Sequence, residues 1–430
     1  MGGAWRLVLG MSNLSLSDRV LNLKPSVTLA LNSRAKALKA SGVDVLGFAA
    51  GEPDFDTPQP IKDAAIKAML AGQTKYMPVV GDMPSRECIA NKLTTENNIP
   101  GLTGEHIAIS TGGKHALYLA IQCLLDFPKP GQEQWEAILP TPSWVSYRPI
   151  CELSGGVVKE IVAGPDSDFL ITAQQLKDAI TPRSRLLLLN SPSNPCGTMY
   201  SEAALRELAQ VIHEAREIAP NLIVISDEIY EKIVYGDTPH FSIGSISEIA
   251  DRVITLNGMS KAFAMTGWRI GYAAMPGEFG KSLIKGMGKL QGQMTSNITS
   301  FNYAALREAL TNAEVAKTVE MMRDSFASRS KLIMSRLEEI PGISCPTPTG
   351  AFYVFPDVSK LFGKTSSGGA KISDAPSLSE AMLNEVHIAF VPGNDFGGCG
   401  PNHVRISFAC SVEQINEGMD RFKKFVEGLS

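Results

Sequence analysis

Four segments of the chain place polar or charged side chains where a short apolar run ends. In chain order they are Ser110-Thr-Gly-Gly-Lys114, Asn190-Ser-Pro-Ser-Asn-Pro-Cys-Gly197, Asp227-Glu-Ile-Tyr230 and Ser260-Lys261, the last followed by Arg269. In open parallel sheets, ligands bind beyond the carboxyl ends of the strands. Because each segment follows a run with the composition of a strand, we expect the four to meet in one site.

Three of these segments suit different chemical groups. The paired glycines before Lys114 allow close approach to a ligand, and free N–H groups at a helix start favour a phosphate, although a structural turn explains this segment equally well on its own. The acidic pair that begins at Asp227 requires a partner, which is either a helix N-terminus or a cationic ligand nitrogen. Lys261 lies between apolar segments, where desolvation makes an amine nucleophilic, whereas an isolated lysine is most often a solvated surface residue.

Together the segments predict one ligand with three features: a phosphate, a ring nitrogen that pairs with an anion, and an aldehyde that reacts with a lysine. Pyridoxal 5′-phosphate has all three. The Pro-rich loop 190–197 adds a rigid polar edge that suits ligand contact and is also consistent with a plain turn. No metal site is expected, because the six histidines form no HExxH or HxH group and the seven cysteines form no CxxC pair.

The elements that position these segments alternate between strand and helix. Apolar runs at 107–110, 136–139, 185–190, 222–226, 253–256 and 269–273 predict strands. Apolar residues at a 3.6-residue spacing predict helices over 114–125 and 201–218, with Ser201 as the N-cap of the second. The runs at 185–190 and 222–226 are continuously apolar, as in strands covered on both faces. This order predicts an α/β fold with a mostly parallel sheet.

The C-terminal part of the chain has a different character. Residues 313–340 predict one long amphipathic helix, and the runs 351–355 and 404–408 alternate in polarity like strands buried on one face. The stretch 362–379 is rich in Gly, Ser and Lys and is most simply a mobile surface loop. These patterns predict a second, smaller α+β domain.

Composition excludes several classes of protein. The 430 residues carry 40 Lys and Arg against 44 Asp and Glu, so the net charge of −4 gives no attraction to nucleic acid or anionic lipid. No apolar run approaches the length of a membrane span, and the first residues lack the apolar core of a signal peptide. We expect residues 1–12 to be an N-terminal extension, and the scattered cysteines to be reduced thiols of a cytoplasmic protein.

The combination of motifs resembles class I pyridoxal-phosphate-dependent aminotransferases, and within them the bacterial-type aspartate aminotransferases, over residues 14–425. The matching stretches are Lys24-Pro-Ser-Val-Thr-Leu-Ala, Gly51-Glu-Pro-Asp-Phe-Asp-Thr-Pro58, Lys75-Tyr76, 190–195, 227–230, 260–261, Met265-Thr-Gly-Trp-Arg269, Gly350-Ala-Phe-Tyr353, Val391-Pro-Gly393 and Arg405-Ile-Ser-Phe-Ala409. The resemblance implies fold type I of pyridoxal-phosphate-dependent transferases, with a three-layer, mostly parallel large domain over 61–324. A smaller discontinuous α+β domain would comprise 13–60 and 325–430.

The resemblance also implies how the cofactor, pyridoxal 5′-phosphate, is held. Lys261 forms the Schiff base with its aldehyde and then moves the substrate proton, Asp227 pairs with the pyridine nitrogen, and Tyr230 and Asn194 bind the phenolic oxygen. Trp144 stacks on the ring. The residues implied for the phosphate are Gly113, Lys114, Ser260, Arg269 and, from the partner subunit of a homodimer, Tyr76.

For the substrate, the resemblance implies that Arg405 grips the α-carboxylate as a bidentate fork and that Gly51 lies close by, with Trp144 and Asn194 also in contact. A dicarboxylic substrate needs a second cation, and Lys114 is the candidate. The implied reaction moves the amino group of L-aspartate to 2-oxoglutarate by a ping-pong mechanism. The alternatives are an aminotransferase for prephenate, aromatic or diverse acids, a lyase or decarboxylase on the same fold, and a non-catalytic binding module.

Overall fold

The computed structural model describes residues 16–21, 23 and 27–430. The expected N-terminal extension over residues 1–12 lies outside the described residues. The α-helices are α1 Asp18–Leu21, α2 Val27–Ala40, α3 Gln59–Leu70, α4 Met83–Thr95, α5 Gly113–Leu124, α6 Tyr147–Leu153, α7 Ala173–Ala179, α8 Glu202–Glu214, α9 Gly277–Gly292, α10 Asn302–Thr311, α11 Ala313–Glu338, α12 Ala375–Glu385 and α13 Val412–Glu427. The part of the chain that the structure describes contains no helix long and apolar enough to cross a membrane.

Within the described ranges, the strands form one large sheet and two small ones. They are β1 Leu46–Gly47, β2 Ile107–Ser110, β3 Glu136–Thr141, β4 Val157–Val162, β5 Ser184–Asn190, β6 Ile223–Asp227, β7 Val253–Gly258, β8 Gly271–Ala274, β9 Tyr353–Val354, β10 Ile388–Ala389, β11 Val391–Pro392 and β12 Val404–Ser407. The seven-stranded sheet has the order β2-β8-β7-β6-β5-β3-β4. Its β8 is antiparallel to both neighbours, and the other pairs are parallel, so the predicted α/β fold with a mostly parallel sheet is confirmed.

The central strands β5 and β6 are buried on both faces, as their continuous apolar runs predicted. Helix α8 covers one face, where Leu205 and Leu208 pack with Leu187 of β5, and helices α5 and α9 cover the other. Ser201 caps α8 by accepting a hydrogen bond from the N–H of Ala204, which confirms the predicted N-cap. Burial of each large aliphatic side chain contributes roughly 1.5–3 kcal/mol to the stability of the fold. The helices packed on both faces of the sheet therefore hold the carboxyl ends of the strands rigidly.

The register of the central strands brings two of the polar segments side by side. Asn190 at the end of β5 is paired with Asp227 at the end of β6, and Asp227 is paired with Leu256 of β7. The side-chain amide of Asn190 also donates to the backbone oxygen of Asp227, at 2.9 Å. The end of the parallel sheet is therefore polar where its centre is apolar.

The strands of the small sheets differ from their predicted pattern. Residues 351–356 and 404–408 are buried throughout, so the prediction of strands buried on one face only is wrong. One reason is that these strands lie between two apolar clusters: Phe352 and Val354 pack with helices α11 and α13, whereas Phe355 packs in a cluster with Phe396. Covering on both faces removes the solvent that an alternating strand would face.

The expected surface loop at 362–379 is wrong in its second half. Helix α12 begins at Ala375, and Asp374 caps it by accepting the N–H of Ser377 at 2.8 Å. Ile372 and Leu378 are fully buried in the apolar cluster of the small sheets. The composition of this stretch is typical of a loop, but Asp374 and Ser377 act here as helix caps. For this reason the start of α12 was not predicted. The long helix predicted over 313–340 is confirmed as α11.

Candidate active site

The carboxyl ends of β5, β6 and β7 open into a cavity of about 290 Å³. All of the predicted site residues except Tyr76 line it: Gly51, Gly113, Lys114, Trp144, Asn194, Asp227, Tyr230, Ser260, Lys261, Arg269 and Arg405. They come from seven separate parts of the chain, so the fold concentrates them. Tyr76 lies outside this cavity, and its side chain is 90% exposed.

One end of the cavity is built to hold an anion. Helix α5 begins at Gly113, directed at the cavity, and the first N–H groups of a helix lack partners within it. Arg269 has a left-handed backbone (φ 57°) and lies against Gly112, where a Cβ would be 2.3 Å from its Nη2. Its Nη1 donates to the backbone oxygen of Thr266 at 2.9 Å, which fixes the guanidinium. Helix terminus and guanidinium together form a cradle for a phosphate.

The floor of the cavity carries one carboxylate. Asp227 accepts hydrogen bonds from the Tyr147 hydroxyl at 2.8 Å and from the N–H of Ile229 at 3.2 Å. Burial nevertheless raises the pKa of Asp227, an effect that these hydrogen bonds and nearby Lys261 only partly oppose. A carboxylate in this environment gains most from a cationic partner placed in the cavity.

Lys261 provides an amine that loses its proton more readily than an ordinary lysine does. Its Nζ donates to the backbone oxygen of Gly51. Burial lowers the pKa of Lys261 to about 8; Glu52 opposes the shift, whereas the nearby guanidinium groups of Arg405 and Arg269 add to it. Near pH 7.5 a substantial fraction of such an amine is unprotonated, which suits a nucleophile or a general base.

Arg405, on β12, is a buried cation. Its guanidinium makes hydrogen bonds and also packs against aromatic rings. Nη1 donates to Asn194 Oδ1 and Nη2 to the Ala49 backbone oxygen, both at 2.9 Å. The ring centroids of Tyr353 and Phe396 lie 4.7 and 5.4 Å from the guanidinium carbon. Its Nε has no hydrogen-bond partner among the described residues, and burial lowers its pKa. A carboxylate ligand would satisfy this group.

Lys114 supplies another cation to the cavity. Its Nζ lies 4.7 Å from the ring centroid of Trp144, a cation–π contact. Burial lowers the pKa of Lys114, and the nearby charge of Arg269 lowers it further. Trp144 in turn packs edge-on against Tyr147, with ring centroids 5.4 Å apart. The cavity thus presents Lys114 and Arg405 as separate sites for anionic groups.

Sequence reasoning missed several residues that line the cavity, among them Tyr147, Asn190, Asn257, Thr266 and Tyr353. Tyr147 is the first residue of α6, three residues after Trp144, and the two rings are in edge-on contact at the cavity. Tyr353 belongs to a motif that was recognised as a match without any role for its side chain. Neither pattern indicates the direction of a tyrosine side chain, and only the fold shows that both turn into the cavity.

Behind Asp227, on the far side of the strand end, lies a buried polar cluster of Lys92, Asn97, Glu228, Glu231 and His240. The carboxylates and His240 are close enough to suggest a metal site. However, the ammonium of Lys92 already pairs with Glu231. Although burial opposes it, this charge and His240 hold the pKa of Glu231 at about 2. A cation of the chain itself thus occupies the cluster, so we infer no metal there.

Residues 43–422 match the family model for aminotransferase class I and II. The chain is 42% identical over 416 residues to an aspartate/prephenate aminotransferase of Cereibacter sphaeroides, with 96% of this chain and 99% of that protein covered. It is 41% identical to an aspartate aminotransferase of Geobacillus stearothermophilus, with the same coverage.

Solved structures of aspartate aminotransferases are also similar to this chain. The crystal structure of the aspartate aminotransferase of Rhizobium meliloti superposes with a TM-score of 0.89 at 36% identity, covering 97% of this chain and 100% of that one. The aspartate aminotransferase of Thermus thermophilus with maleate superposes with a TM-score of 0.86 at 38% identity, covering 96% and 100%. The similarity therefore extends over the whole fold, including every segment that lines the cavity.

Proposed function

This chain belongs to the class I and II aminotransferases, which are pyridoxal-phosphate enzymes, and we propose that it transfers the amino group of L-aspartate to 2-oxoglutarate. The observation that carries the proposal is the position of Lys261, an amine with a pKa lowered to about 8, in one cavity with Asp227, Arg405 and Lys114. Aspartate and 2-oxoglutarate both carry two carboxylates, and the described residues of the cavity offer two cations, Lys114 and Arg405, besides Arg269 and Lys261.

The cavity residues fit pyridoxal 5′-phosphate. The backbone N–H groups of Gly113 and Lys114, with Ser260 and Arg269, would hold its phosphate, and a Cβ at Gly112 would fill that cradle. Asp227, with its raised pKa, matches the pyridine nitrogen. Tyr230 and Asn194 supply hydrogen-bonding groups for the phenolic oxygen, and Trp144 supplies a ring for stacking. When bound, the cofactor supplies an electron sink for the electron pair that remains when the substrate Cα–H bond breaks.

Lys261 is the catalytic base and acid in this proposal. Its Nζ would hold the cofactor through the aldehyde and, with a substrate amino acid bound in its place, would move the proton between the substrate Cα and the adjoining cofactor carbon. Gly51, whose backbone oxygen accepts from Nζ, holds the amine on one side of the cavity. Asp227 would pair with the protonated ring nitrogen, and the Tyr230 hydroxyl would donate to the phenolic oxygen.

Arg405 and Lys114 position the substrate. The α-carboxylate would bind the guanidinium of Arg405 as a bidentate fork, a geometry that lysine cannot reproduce. The second carboxylate would bind the Lys114 ammonium, near the face of Trp144. The assay that tests the proposal follows oxaloacetate formed from aspartate and 2-oxoglutarate by the purified protein. Conversion of prephenate or an aromatic acid without conversion of aspartate would contradict it, as would release of ammonia or pyruvate without a keto-acid acceptor.

The assignment of the second carboxylate gives a specific prediction. Lys114→Gln is expected to raise KM for aspartate by roughly 10- to 100-fold, because a hydrogen bond between charged groups contributes about 1.5–3 kcal/mol. KM for alanine, which has no second carboxylate, should change little. The measurement compares aspartate and alanine as amino donors in the half-reaction, which is run without 2-oxoglutarate. An equal rise in KM for the two donors would show that Lys114 acts on the cofactor rather than on the distal carboxylate.

We further propose two domains, one over 61–324 and one over 13–60 with 325–430. Strand β1 pairs with β10, which supports a unit built from both ends of the chain. Helix α11 supports the boundary near 325: Val315 and Met322 pack with the large sheet's cluster, whereas Phe326 and Ile333 pack with the small sheets. Hydrogen exchange would test this division. Uniform protection along α11, unrelated to its two clusters, would contradict it.

We also propose a homodimer in the cytoplasm. The side chain of Tyr76 is 90% exposed and lies outside the cavity of its own chain. A contact of Tyr76 with the phosphate would come from a second chain, which supports the dimer. Sedimentation equilibrium of the holoprotein that gives the mass of one chain would contradict this proposal. All seven cysteines lie in the described part of the chain and are unpaired, which suits a reducing compartment. Recovery of the protein outside the cytoplasm in cell fractionation would contradict that location.

A further inference from the structure

The hydroxyl of Tyr353 belongs to a residue that lines the cavity and that has no role so far in the proposed reaction. Tyr353 is on β9, its side chain is 1% exposed, and it lines the same cavity as Tyr230. The two hydroxyl oxygens are 3.0 Å apart, so one donates a hydrogen bond to the other. Burial raises the pKa of both tyrosines, and both therefore keep their protons at physiological pH.

The direction of this hydrogen bond follows from counting protons. Each phenol has one proton to donate. In the proposed function, on which this inference rests, Tyr230 donates its proton to the phenolic oxygen of the cofactor. Tyr230 then has only acceptor capacity left, so the contact between the hydroxyls requires Tyr353 as the donor.

We propose that Tyr353 is a positioning residue whose hydroxyl donates to Tyr230 and strengthens the hydrogen bond from Tyr230 to the cofactor. A phenol that accepts a hydrogen bond becomes a stronger donor, since bonds in a chain polarise one another. The stronger bond draws negative charge from the phenolic oxygen. Less negative charge there means that the nearby nitrogen of Lys261, once bound to the cofactor, releases its proton at lower pH.

The surrounding structure holds the Tyr353 hydroxyl in this position. Its oxygen is 2.8 Å from the place where a Cβ on Gly51 would be, so the bare backbone of Gly51 leaves the space for it. Its ring supports the guanidinium of Arg405, with the carbon 4.7 Å from the ring centroid. The hydroxyl and the ring thus act on different partners, and a phenylalanine would retain the ring alone.

Several elements place charged groups around the two tyrosines. These groups influence the pH titration of the bound cofactor. They are Asp227 on β6, Lys261 and Arg269 in the loop after β7, Glu52 after β1 and Arg405 on β12. Tyr353→Phe removes none of these charged groups, although the Tyr353 hydroxyl also acts on the pKa of Arg405, and the double variant separates that route from the one through Tyr230. A change in the titration of the bound cofactor can therefore be assigned to the hydroxyl itself.

The experiment titrates the absorbance of the bound cofactor with pH in four holoproteins: wild type, Tyr353→Phe, Tyr230→Phe and the double variant. Tyr230→Phe should raise the midpoint by about 1–2 pH units, as expected for loss of a hydrogen bond to a charged group. Tyr353→Phe should raise it by roughly 0.1–0.6 unit, the fraction expected from cooperative strengthening. The double variant should match Tyr230→Phe alone, because Tyr353 acts through Tyr230.

Two controls separate this effect from general damage. Tyr200→Phe removes another buried hydroxyl, one that accepts from the N–H of Ile171 at 3.1 Å, and should leave the midpoint unchanged. Tyr353→Leu removes the ring as well, so KM for aspartate should rise through Arg405, whereas Tyr353→Phe should keep KM within about twofold.

An unchanged midpoint in Tyr353→Phe would overturn the inference, as would a shift in the double variant equal to the sum of the two single shifts. An unchanged midpoint in Tyr230→Phe would overturn both the inference and the contact of Tyr230 with the cofactor. The predicted shifts in a protein that does not transfer the amino group of aspartate would support the hydrogen-bond chain and refute only the proposed substrate.

Discussion

Replacing Lys261 with alanine is expected to lower the turnover of aspartate and 2-oxoglutarate by roughly 10⁴-fold or more. A positioned general base contributes up to about 10⁴-fold, and loss of the amine that binds the cofactor removes a further contribution. Among the described residues of the cavity, no other amine lies at the same place: the amines and guanidinium groups of Lys114, Arg269 and Arg405 belong to the anion sites. The effect should therefore appear in kcat for every amino donor.

The measurement is the rate of oxaloacetate formation by the variant after reconstitution with excess cofactor. Lys424→Ala is a matched control, because Lys424 is exposed on α13 and its removal should leave kcat unchanged. Melting curves of both cofactor-free variants would exclude unfolding as the cause. Turnover within tenfold of wild type in Lys261→Ala would refute the assignment of the catalytic lysine.

The pKa of Lys261, lowered to about 8 by burial, adds a pH dependence to this prediction. Only the unprotonated amine binds an aldehyde, so the rate at which the cofactor-free protein takes up the cofactor should rise about tenfold per pH unit below 8. Above pH 8 the rate of cofactor uptake should level off. With an ordinary lysine, whose pKa is near 10.5, the rate would continue to rise up to about that pH. Lys261→Ala should show no such dependence.

Much of the fold followed from the sequence, because its strands and helices have strong local signals. Continuous apolar runs marked β5 and β6 as covered on both faces, and Ser201 marked the start of α8. The error at 351–355 has a physical cause: the alternation of residue types there does not reveal that a second apolar cluster, with Phe396, covers the other face. Such covering depends on segments distant in the chain.

The site was predictable where one residue type has one strong chemical use, as for Lys261 and Asp227. Tyr147 and Tyr353 could not be found in this way, because a buried tyrosine is common in any core. What distinguishes them is geometry across long separations: Tyr147 reaches Asp227, 80 residues away, and Tyr353 reaches Tyr230, 123 residues away. Only the folded chain shows that these hydroxyls meet residues of the site.

Asp227→Asn is expected to lower kcat by about 10³-fold while leaving the protein folded. Two opposite charges about 4 Å apart near a protein surface interact by roughly 4 kcal/mol, which corresponds to about three orders of magnitude in rate. In the proposed site this attraction keeps the ring nitrogen protonated. The amide cannot provide it, although it retains the size of the carboxyl and its contact with the hydroxyl of Tyr147.

Stability should respond in the opposite sense to activity. Burial raises the pKa of Asp227, so ionisation of this group costs stability at every pH above its unfolded value, and the neutral amide removes that cost. The cofactor-free Asp227→Asn protein should therefore melt at the same temperature as wild type or higher, even as kcat falls. Asp251→Asn, which removes an exposed carboxylate paired with Arg216 at 2.6 Å, is the matched control and should retain full activity. If kcat of Asp227→Asn stayed within tenfold of wild type, Asp227 would not be the partner of the ring nitrogen; if kcat and melting temperature fell together, the carboxylate would serve the fold rather than the reaction.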